Sequence, residues 1–339
     1  MSIGFNVAIA GATGAVGAEL IRLLEEREFP VRQLKLLASA KSVGKTLGFK
    51  GERIPVELLS NDSFRGIGLA LFSAGTGTSK QFANRAVESG AVVIDNSSAF
   101  RMDADVPLVV PEINATDIAC QRGIIANPNC TTIISLMALY PLHREFGVRR
   151  IVASSYQAVS GAGARAIDEL SLQSNAHLRS EKVDPNVFPH PIAFNVLPQV
   201  DVFLESGYTK EEMKFVNESR KIMHHPTLRA SITCVRVPVF RAHSIAVHAE
   251  FEKPISVQSA RDVLAKFPGL ELIDNPSARE YPMPLKCAGK NGCQVGRIRM
   301  DSAFDNGLAF WVCGDQLLKG AALNALQIAE NLFGIKNTD

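Results

Sequence analysis

The sequence has little of what would place a chain outside the reducing interior of a cell or tie it to a charged polymer. Its six cysteines, at 120, 130, 234, 287, 293 and 313, form no CxxC pair and no metal spacing, so neither a disulfide framework nor a metal centre is expected. No apolar run reaches the ~18 residues that a membrane helix needs. An excess of one charge is also missing: 36 Lys and Arg stand against 34 Asp and Glu, for a net charge of +2. Bulk attraction to nucleic acid or to an anionic membrane is therefore not indicated. No internal repeat and no low-complexity tract is present. The opening "MSIGFNVAIAGATG" runs straight into a strand and a glycine turn, which predicts no signal peptide and a cytoplasmic protein. One more absence matters below: from Phe29 to Gly51 there is neither Asp nor Glu.

What is present suits an enzyme of two domains, with 339 residues of which 46% are hydrophobic. "FNVAIAGATGAVGAELIRLLEE" reads as an apolar strand, a glycine turn and an amphipathic helix. Gly11, Gly14 and Gly17 give the tight turn, the close backbone approach to a pyrophosphate and the close helix packing of a dinucleotide site. A glycine turn alone also occurs without a ligand; its place after a strand and before a helix favours the nucleotide. The second strand, "QLKLLAS", lacks the acid that binds the adenosine ribose in NAD enzymes. Ser39, Lys41, Ser42 and Lys45 follow it instead, and hydroxyls with ammonium groups suit a 2′-phosphate, hence NADP (NADPH). The competing reading of that run is an ordinary solvated basic loop. Strands "IGLALFSAG" and "AVVIDNS" flank a helix, and Ala74-Gly75-Thr76 forms a small-residue loop that could pass under the cofactor. The alternation predicts a parallel, doubly wound sheet.

Residues 125–132, "IANPNCTT", place Cys130 after an Asn-Pro-Asn turn and at the start of an apolar helical pattern. The positive end of a helix dipole favours a thiolate, so Cys130 is a candidate nucleophile where the other cysteines read as small core residues. Beyond it lie a β-rich run, "RRIVASSYQAVSGAG", helices at "ARAIDELSLQSNA" and "KEEMKFVNESRKIM", and an irregular Pro- and aromatic-rich stretch over 181–209. The runs "ITCVRVPVF", "HSIAVHAEFE", "QVGRIRMD" and "LAFWVCGD" predict a mixed, mostly antiparallel sheet. A long amphipathic helix, "QLLKGAALNALQIAENLF", closes the chain, with Gly320-Ala321-Ala322 as a thin face suited to close approach.

GATGAVG at the start, SSAFRM (97–102), NPNCTT (127–132), SYQAVSGAG (155–163), EEMK (211–214), CVRVPVFRAHS (234–244) and LLKGAALNA (317–325) stand in order. Together they resemble the aspartate-semialdehyde dehydrogenases, from Asn6 to about Phe333. The resemblance implies an α/β fold: an NADP-binding Rossmann domain over 1–129, completed by a C-terminal helix at 316–333, and an α+β catalytic and dimerisation domain over 130–315. It implies a homodimer and NADPH-dependent reductive dephosphorylation of β-aspartyl phosphate to aspartate semialdehyde, on the route to lysine, threonine and methionine. Carried over residue by residue, Cys130 matches the nucleophile and His243 the acid/base. Gln157 matches the residue that orients the substrate, Arg236 the one that grips its α-carboxylate, and Glu211 the acid facing its amino group. Arg101 and Lys214 match the phosphate binders. The cofactor contacts expected are Gly11, Thr13, Gly14, Ala15, Val16, Ser39, Lys41, Ser42, Ala74, Gly75, Thr76, Asn96, Ser160, Gly161 and Gln316, with no metal.

The chemistry agrees, since thiolate attack on an acyl phosphate needs a low-pKa cysteine, a proton carrier and cationic anchors for two anionic ends. Arg236 and His243 are seven residues apart, so on one straight strand they would face opposite sides; a bend at Pro238 or at Arg241-Ala242 is required. The other six histidines, including His224-His225, read as bystanders. Three positions depart from the family pattern: Ala242 where Gly, Ser or Cys usually precedes the histidine, Ile245 where an acid or Gln is frequent, and Gln316 where Asn is usual near the nicotinamide. Two rival readings stand beside the main one. A paralogue that binds without turnover is opposed by the joint presence of the site residues. N-acetylglutamyl-phosphate reductase is opposed by NPNCTT in place of a motif like NPGCY.

Overall fold

The computed structural model describes residues 4–336, and the chain divides into two units, Met1–Asn129 with Ala321–Asp339, and Cys130–Gly320. The first unit holds β1 (Phe5–Ala10), α1 (Ala15–Glu26), β2 (Val31–Ala38), β3 (Thr46–Phe49), β4 (Glu52–Leu58), β5 (Leu69–Phe72), α2 (Thr76–Glu88), β6 (Val92–Asp95), α3 (Pro111–Asn114) and β7 (Ile124–Ala126). Its strand order is β3-β4-β2-β1-β5-β6-β7. Every pairing is parallel except the β3–β4 hairpin. Val7 to Ala10 and Leu69 to Phe72 are fully buried, which is why these strands read as unbroken apolar runs without alternation. The order reverses between β1 and β5, so the loops after those strands flank a switch point, the usual place for a dinucleotide.

The closing helix departs from expectation at its start. Gly320 donates to the Asp315 carbonyl five residues back, so Leu318–Ala322 forms a wider π-turn before the α-helix Leu323–Phe333. The segment grouped with the first unit starts at Ala321. Amphipathic patterning also understates this helix. Asn324 is buried and donates to Val109 O (2.9 Å) and Asn127 Oδ1 (2.7 Å), while buried Glu330 accepts from Arg27 Nε at 2.7 Å.

The second unit holds α4 (Cys130–Phe146), β8 (Val148–Gln157), α5 (Ala164–Leu178), α6 (Lys210–Ile222), β9 (Arg229–Arg236), β10 (His243–Phe251), α7 (Val257–Leu264), β11 (Leu270–Leu272), α8 (Pro284–Cys287), β12 (Cys293–Met300) and β13 (Gly307–Gly314). The sheet order is β11-β12-β13-β10-β8-β9. Its two outermost pairings are parallel and the three central ones antiparallel. Helix α4 packs on β8, β10 and β13 and is buried almost all round, through Ile133, Ile134, Leu136, Met137 and Leu139, as a helix apolar on every side must be. Alternation along β8 leaves Val152 and Tyr156 exposed, with Tyr156 beside Trp311 at 5.3 Å. In register, Gln157 lies opposite Arg236 and His243 opposite Gly314. Four strand ends that carry site residues or lead to them therefore meet at one end of the sheet.

Candidate active site

In the first unit the glycine turn forms as its spacing requires. Gly11 has φ +89°, and a Cβ there would lie 2.4 Å from the Ser73 carbonyl oxygen. A Cβ on Gly17 would meet Gly11 O at 2.3 Å, so α1 is seated directly on the turn. A cleft of about 550 Å³ opens here, lined among others by Gly11, Thr13, Gly14, Ser39 and Ala74. Ala15 and Val16 begin α1, and Gly75 and Thr76 begin α2. Ser42 Oγ meets Thr13 Oγ1 at 3.1 Å, closing the loop after β2 onto the turn, whereas Lys41 is exposed on a short 3₁₀ turn. Asn96 spends its side chain on structure, donating to Phe72 O and accepting from Asn127 Nδ2, both at 2.9 Å. Arg101 is buried, with guanidinium bonds to Asn127 O (2.9 Å) and Asn96 O (2.8 Å).

In the second unit Cys130 is the first residue of α4 and half-buried. A Cβ on Gly320 would lie 2.9 Å from Cys130 Cβ. The thin face of the closing segment thus meets the thiol residue, at a π-turn, a feature frequent at functional sites. Gln157 Nε2 donates to Thr131 Oγ1 (2.8 Å) and reaches Glu211 Oε1 at 3.4 Å. Glu211 bonds Lys214 (3.1 Å), which also bonds Asp201 (2.8 Å). Burial disfavours the Lys214 charge, but Glu211 and Asp201 outweigh it and raise its pKa. Arg236 is buried, lies 5.8 Å from the Phe188 ring centroid and donates to Ala158 O at 2.8 Å. Its pKa is lowered by burial, against the pull of Glu211.

The bend that Arg236 and His243 require is at Ala242, which has φ +72°. Left-handed backbone costs an alanine about 1–2 kcal/mol, so neighbours must hold it. Gln316 Oε1 accepts from Ala242 N (2.8 Å), and Asp315, fully buried, takes the Arg241 guanidinium at 2.5 Å. The other end of the Gln316 amide donates to Ser160 Oγ. His243 is fully buried, its Nδ1 accepts from Ala158 N at 3.0 Å, and its Nε2 has no partner. Burial and the Arg236 charge hold its pKa well below the usual imidazole range. A Cβ on Gly161 would lie 3.0 Å from Arg236 Nη1 and 3.2 Å from His243 Nε2, so both side chains pack closely against the bare Cα of this glycine.

Known proteins match over both units. Residues 6–121 match the semialdehyde dehydrogenase NAD binding domain, and 139–319 the semialdehyde dehydrogenase dimerisation domain. An aspartate-semialdehyde dehydrogenase of Aquifex aeolicus is 53% identical over 97% of this chain and 98% of its own length. The chain belongs to the aspartate-semialdehyde dehydrogenase family. Another member, from Bacillus subtilis, is 47% identical over 98% of both chains. Aspartate semialdehyde dehydrogenase II from Vibrio cholerae, in a crystal structure complexed with ASA, superposes with TM-score 0.95 at 46% identity, covering 98% of this chain and 99% of that one. These names favour the aspartate-semialdehyde dehydrogenase reading over N-acetylglutamyl-phosphate reductase and over a non-catalytic paralogue. Among the described residues, no helix is long and apolar enough to cross a membrane and no cluster could hold a metal ion.

Sequence reasoning missed two residues that hold the candidate site together. Ala158 anchors Arg236 and His243 through its peptide groups alone, and backbone roles leave no mark on residue identity. Asp315 stands beside Gln316 in "GDQLL", and its full burial, which marks its role, cannot be read from the sequence.

Proposed function

We propose that this chain catalyses NADPH-dependent reductive dephosphorylation of β-aspartyl phosphate to aspartate semialdehyde, and its reverse, in amino-acid biosynthesis. The observation that carries the reading is the convergence at one end of the second sheet. Cys130 opens α4, the helix whose Thr131 bonds Gln157, and Gln157, Arg236 and His243 stand at neighbouring strand ends. Cys130 attacks the acyl phosphate to give a thioester and release phosphate. Arg236, a buried fork donor, suits the substrate α-carboxylate. Glu211 faces the amino group, Gln157 orients the acyl carbon, and Lys214 and Arg101 take phosphate.

The glycine turn, the open cleft and the absence of an acid after β2 fit a dinucleotide with a 2′-phosphate. Gly11, Thr13, Gly14 and Ala74 would pass along the pyrophosphate, and Ser39, Ser42 and Lys41 would hold the 2′-phosphate. The chemistry such a group supplies is hydride exchange at the thioester carbon. The division of labour largely follows the units, with the glycine turn on Met1–Asn129 and the nucleophile on Cys130–Gly320, while Arg101 of the first unit serves phosphate and Ser160, Gly161 and Gln316 of the second serve the cofactor. The chain acts in the cytoplasm as a homodimer, and the exposed apolar sheet face around Val152 and Tyr156 supports that assembly.

The deciding experiment is phosphate-dependent reduction of NADP, with NAD in parallel, by purified protein and aspartate semialdehyde. Wild type should turn over with a clear preference for NADP, and Cys130→Ala should show no turnover. Undiminished activity in Cys130→Ala would refute the reading, and equal kcat/KM with NAD would refute its cofactor half.

A further inference from the structure

We propose that Glu169 and Gln173, on the buried face of α5, are positioning residues for substrate recognition: they strap residues 186–197 against Arg236 and so fix the guanidinium that grips the substrate α-carboxylate. This rests on the function proposed above and adds two residues that lie outside its site. The stretch "DPNVFPHPIAFNVLP", residues 184–198, carries Pro185, Pro189, Pro191 and Pro198. Proline fixes φ and brings no N–H, so this segment cannot run as a paired strand. The amides between the prolines still need acceptors, and α5 supplies them. Glu169 and Gln173 stand four apart, hence on one face of the helix, and both are buried. Glu169 Oε2 accepts from Asn186 N at 2.9 Å and also from Val187 N. Gln173 Oε1 accepts from Ile192 N at 2.8 Å and from Ala193 N at 3.1 Å. Gln173 Nε2 donates to Glu169 Oε1 at 3.2 Å, which joins the two side chains into one peg.

The segment held by this peg surrounds Arg236. That arginine ends β9, the edge strand of its sheet, so no further strand supports it on the outer side. Leu197 takes that place: its N–H donates to Arg236 O at 2.9 Å, and Arg236 N donates to Leu197 O at 2.8 Å. Phe188, next to Val187, has its ring centroid 5.8 Å from Arg236 Cζ, within the reach of cation–π attraction. Ile192 and Leu197 are buried with Val159, Ala166 and Leu170, and Val187, Phe188 and Ala193 pack against that cluster. Nη1 of the guanidinium is tied to Ala158 O at 2.8 Å. A planar group tied at one nitrogen can still swing about that bond, and the Phe188 ring restrains it.

Glu169 does not reach the arginine by charge. Glu211, Cys130 and Cys234 are the groups whose charge acts on Arg236, and Glu169 is not among them. Its influence therefore passes through the segment that it holds. The Pro- and aromatic-rich composition acquires a reason on this reading. A segment without a ladder of its own can present a ring and a pair of backbone groups to one arginine, provided a helix side chain takes up its amides.

The test is initial-rate kinetics on the full-length protein, with semialdehyde, phosphate and NADP varied in turn and rates normalised to Cys130 titrated with iodoacetamide. A grip on a carboxylate away from the reacting carbon holds ground state and transition state alike, so loosening it raises KM and spares kcat. Phe188→Ala and Glu169→Ala should each raise KM for the semialdehyde about three- to tenfold. Their kcat, and their KM for phosphate and NADP, should stay within about twofold of wild type. Glu169→Gln keeps an oxygen for the Asn186 and Val187 amides and should lie closer to wild type than Glu169→Ala. With Phe188→Ala already present, Glu169→Ala should raise KM by less than about twofold more, because no ring is left to place. Effects that multiply in the double variant, an equal rise for all three substrates, or a fall in kcat alone would overturn the proposal. If Glu169→Ala does not fold, Phe188→Ala decides, and an unchanged KM for the semialdehyde there would overturn it too. Failure of the underlying function looks different: Cys130→Ala would keep turnover, or Arg236→Lys would leave KM for the semialdehyde unchanged.

Discussion

Gly161→Ala is the sharpest available test of how closely Arg236 and His243 must be held. The glycine is not in the left-handed region, so alanine meets no backbone penalty there, and the whole effect comes from one methyl group. That methyl would stand 3.0 Å from Arg236 Nη1, 3.1 Å from His243 Cε1 and 3.2 Å from His243 Nε2. Ordinary contact distance is about 3.5–4.0 Å, so the neighbours must retreat by at least about 0.3 Å. Both are tied to the same residue, Arg236 to Ala158 O at 2.8 Å and His243 to Ala158 N at 3.0 Å, so neither can retreat freely. Overpacking of this kind costs about 1–3 kcal/mol. Loss of glycine freedom in the unfolded chain offsets about 0.4–1 kcal/mol of that, and the net destabilisation should be no more than about 2.5 kcal/mol. Activity should suffer far more, because misplacing a reacting group by a fraction of an ångström to 1 Å costs up to about 10²-fold. Steady-state assays should show kcat/KM for the semialdehyde down by about ten- to a hundredfold, with denaturation curves close to wild type. Gly48→Ala, in open space on an edge strand, serves as the neutral control. If Gly161→Ala stays within about twofold of wild type in kcat/KM, the close packing at this glycine is not what keeps Arg236 and His243 in place for the reaction.

The depressed pKa of His243 makes a stability prediction. Below the unfolded value of about 6.5 the unfolded chain binds a proton that the folded chain refuses, so stability falls as pH drops, by up to ~1.4 kcal/mol per unit. Urea denaturation at pH 7.5 and 5.5 should lose that component in His243→Gln, and an unchanged pH slope would contradict the buried neutral ring. Lys214→Ala should raise the apparent KM for phosphate about tenfold and that for semialdehyde less, while Arg236→Lys should do the opposite because a point charge cannot replace the fork. Initial-rate kinetics with each substrate varied separately decide this, and equal effects on both substrates would misplace the two anchors. Gln316→Leu removes the acceptor that holds Ala242 left-handed, so kcat should fall about tenfold with little change in KM for NADP. Adding Ala242→Gly should restore part of the loss, and no restoration would mean that Gln316 acts elsewhere.

The fold was legible wherever burial imposes a pattern. β1 and β5 are covered on both faces and read as apolar runs, while β10 alternates in its middle, from Ile245 to Ala249, and reads as such. The β3–β4 hairpin escaped because it lies at the sheet edge, mostly exposed and with Pro55 inside it, so nothing forces a pattern on its residues. β7 and β11, at three residues each, are too short to show a period. The break at the start of the closing helix was hidden for a different reason. A π-turn differs from an α-turn by one hydrogen-bond step, and Gly320 within it packs on Cys130, far apart in sequence.

The site divides along the same line. Residues proposed to act through side chains, such as Cys130, Arg236 and His243, announce themselves by type and neighbourhood. What joins them does not. The odd spacing of Arg236 and His243 demanded a bend, and the sequence offered Pro238 or Arg241-Ala242 without choosing. The structure puts the left-handed residue at Ala242, where a glycine would pass unstrained, and supplies the holding bonds from Gln316 and Asp315. The alanine and the glutamine, both singled out on sequence, touch in the fold. A strained backbone and the side chain that restrains it are one device, so a change at either is best read together with the other. The turn that brings the His243 ring round also sets its Nδ1 on the Ala158 amide, a contact that residue type alone does not reveal.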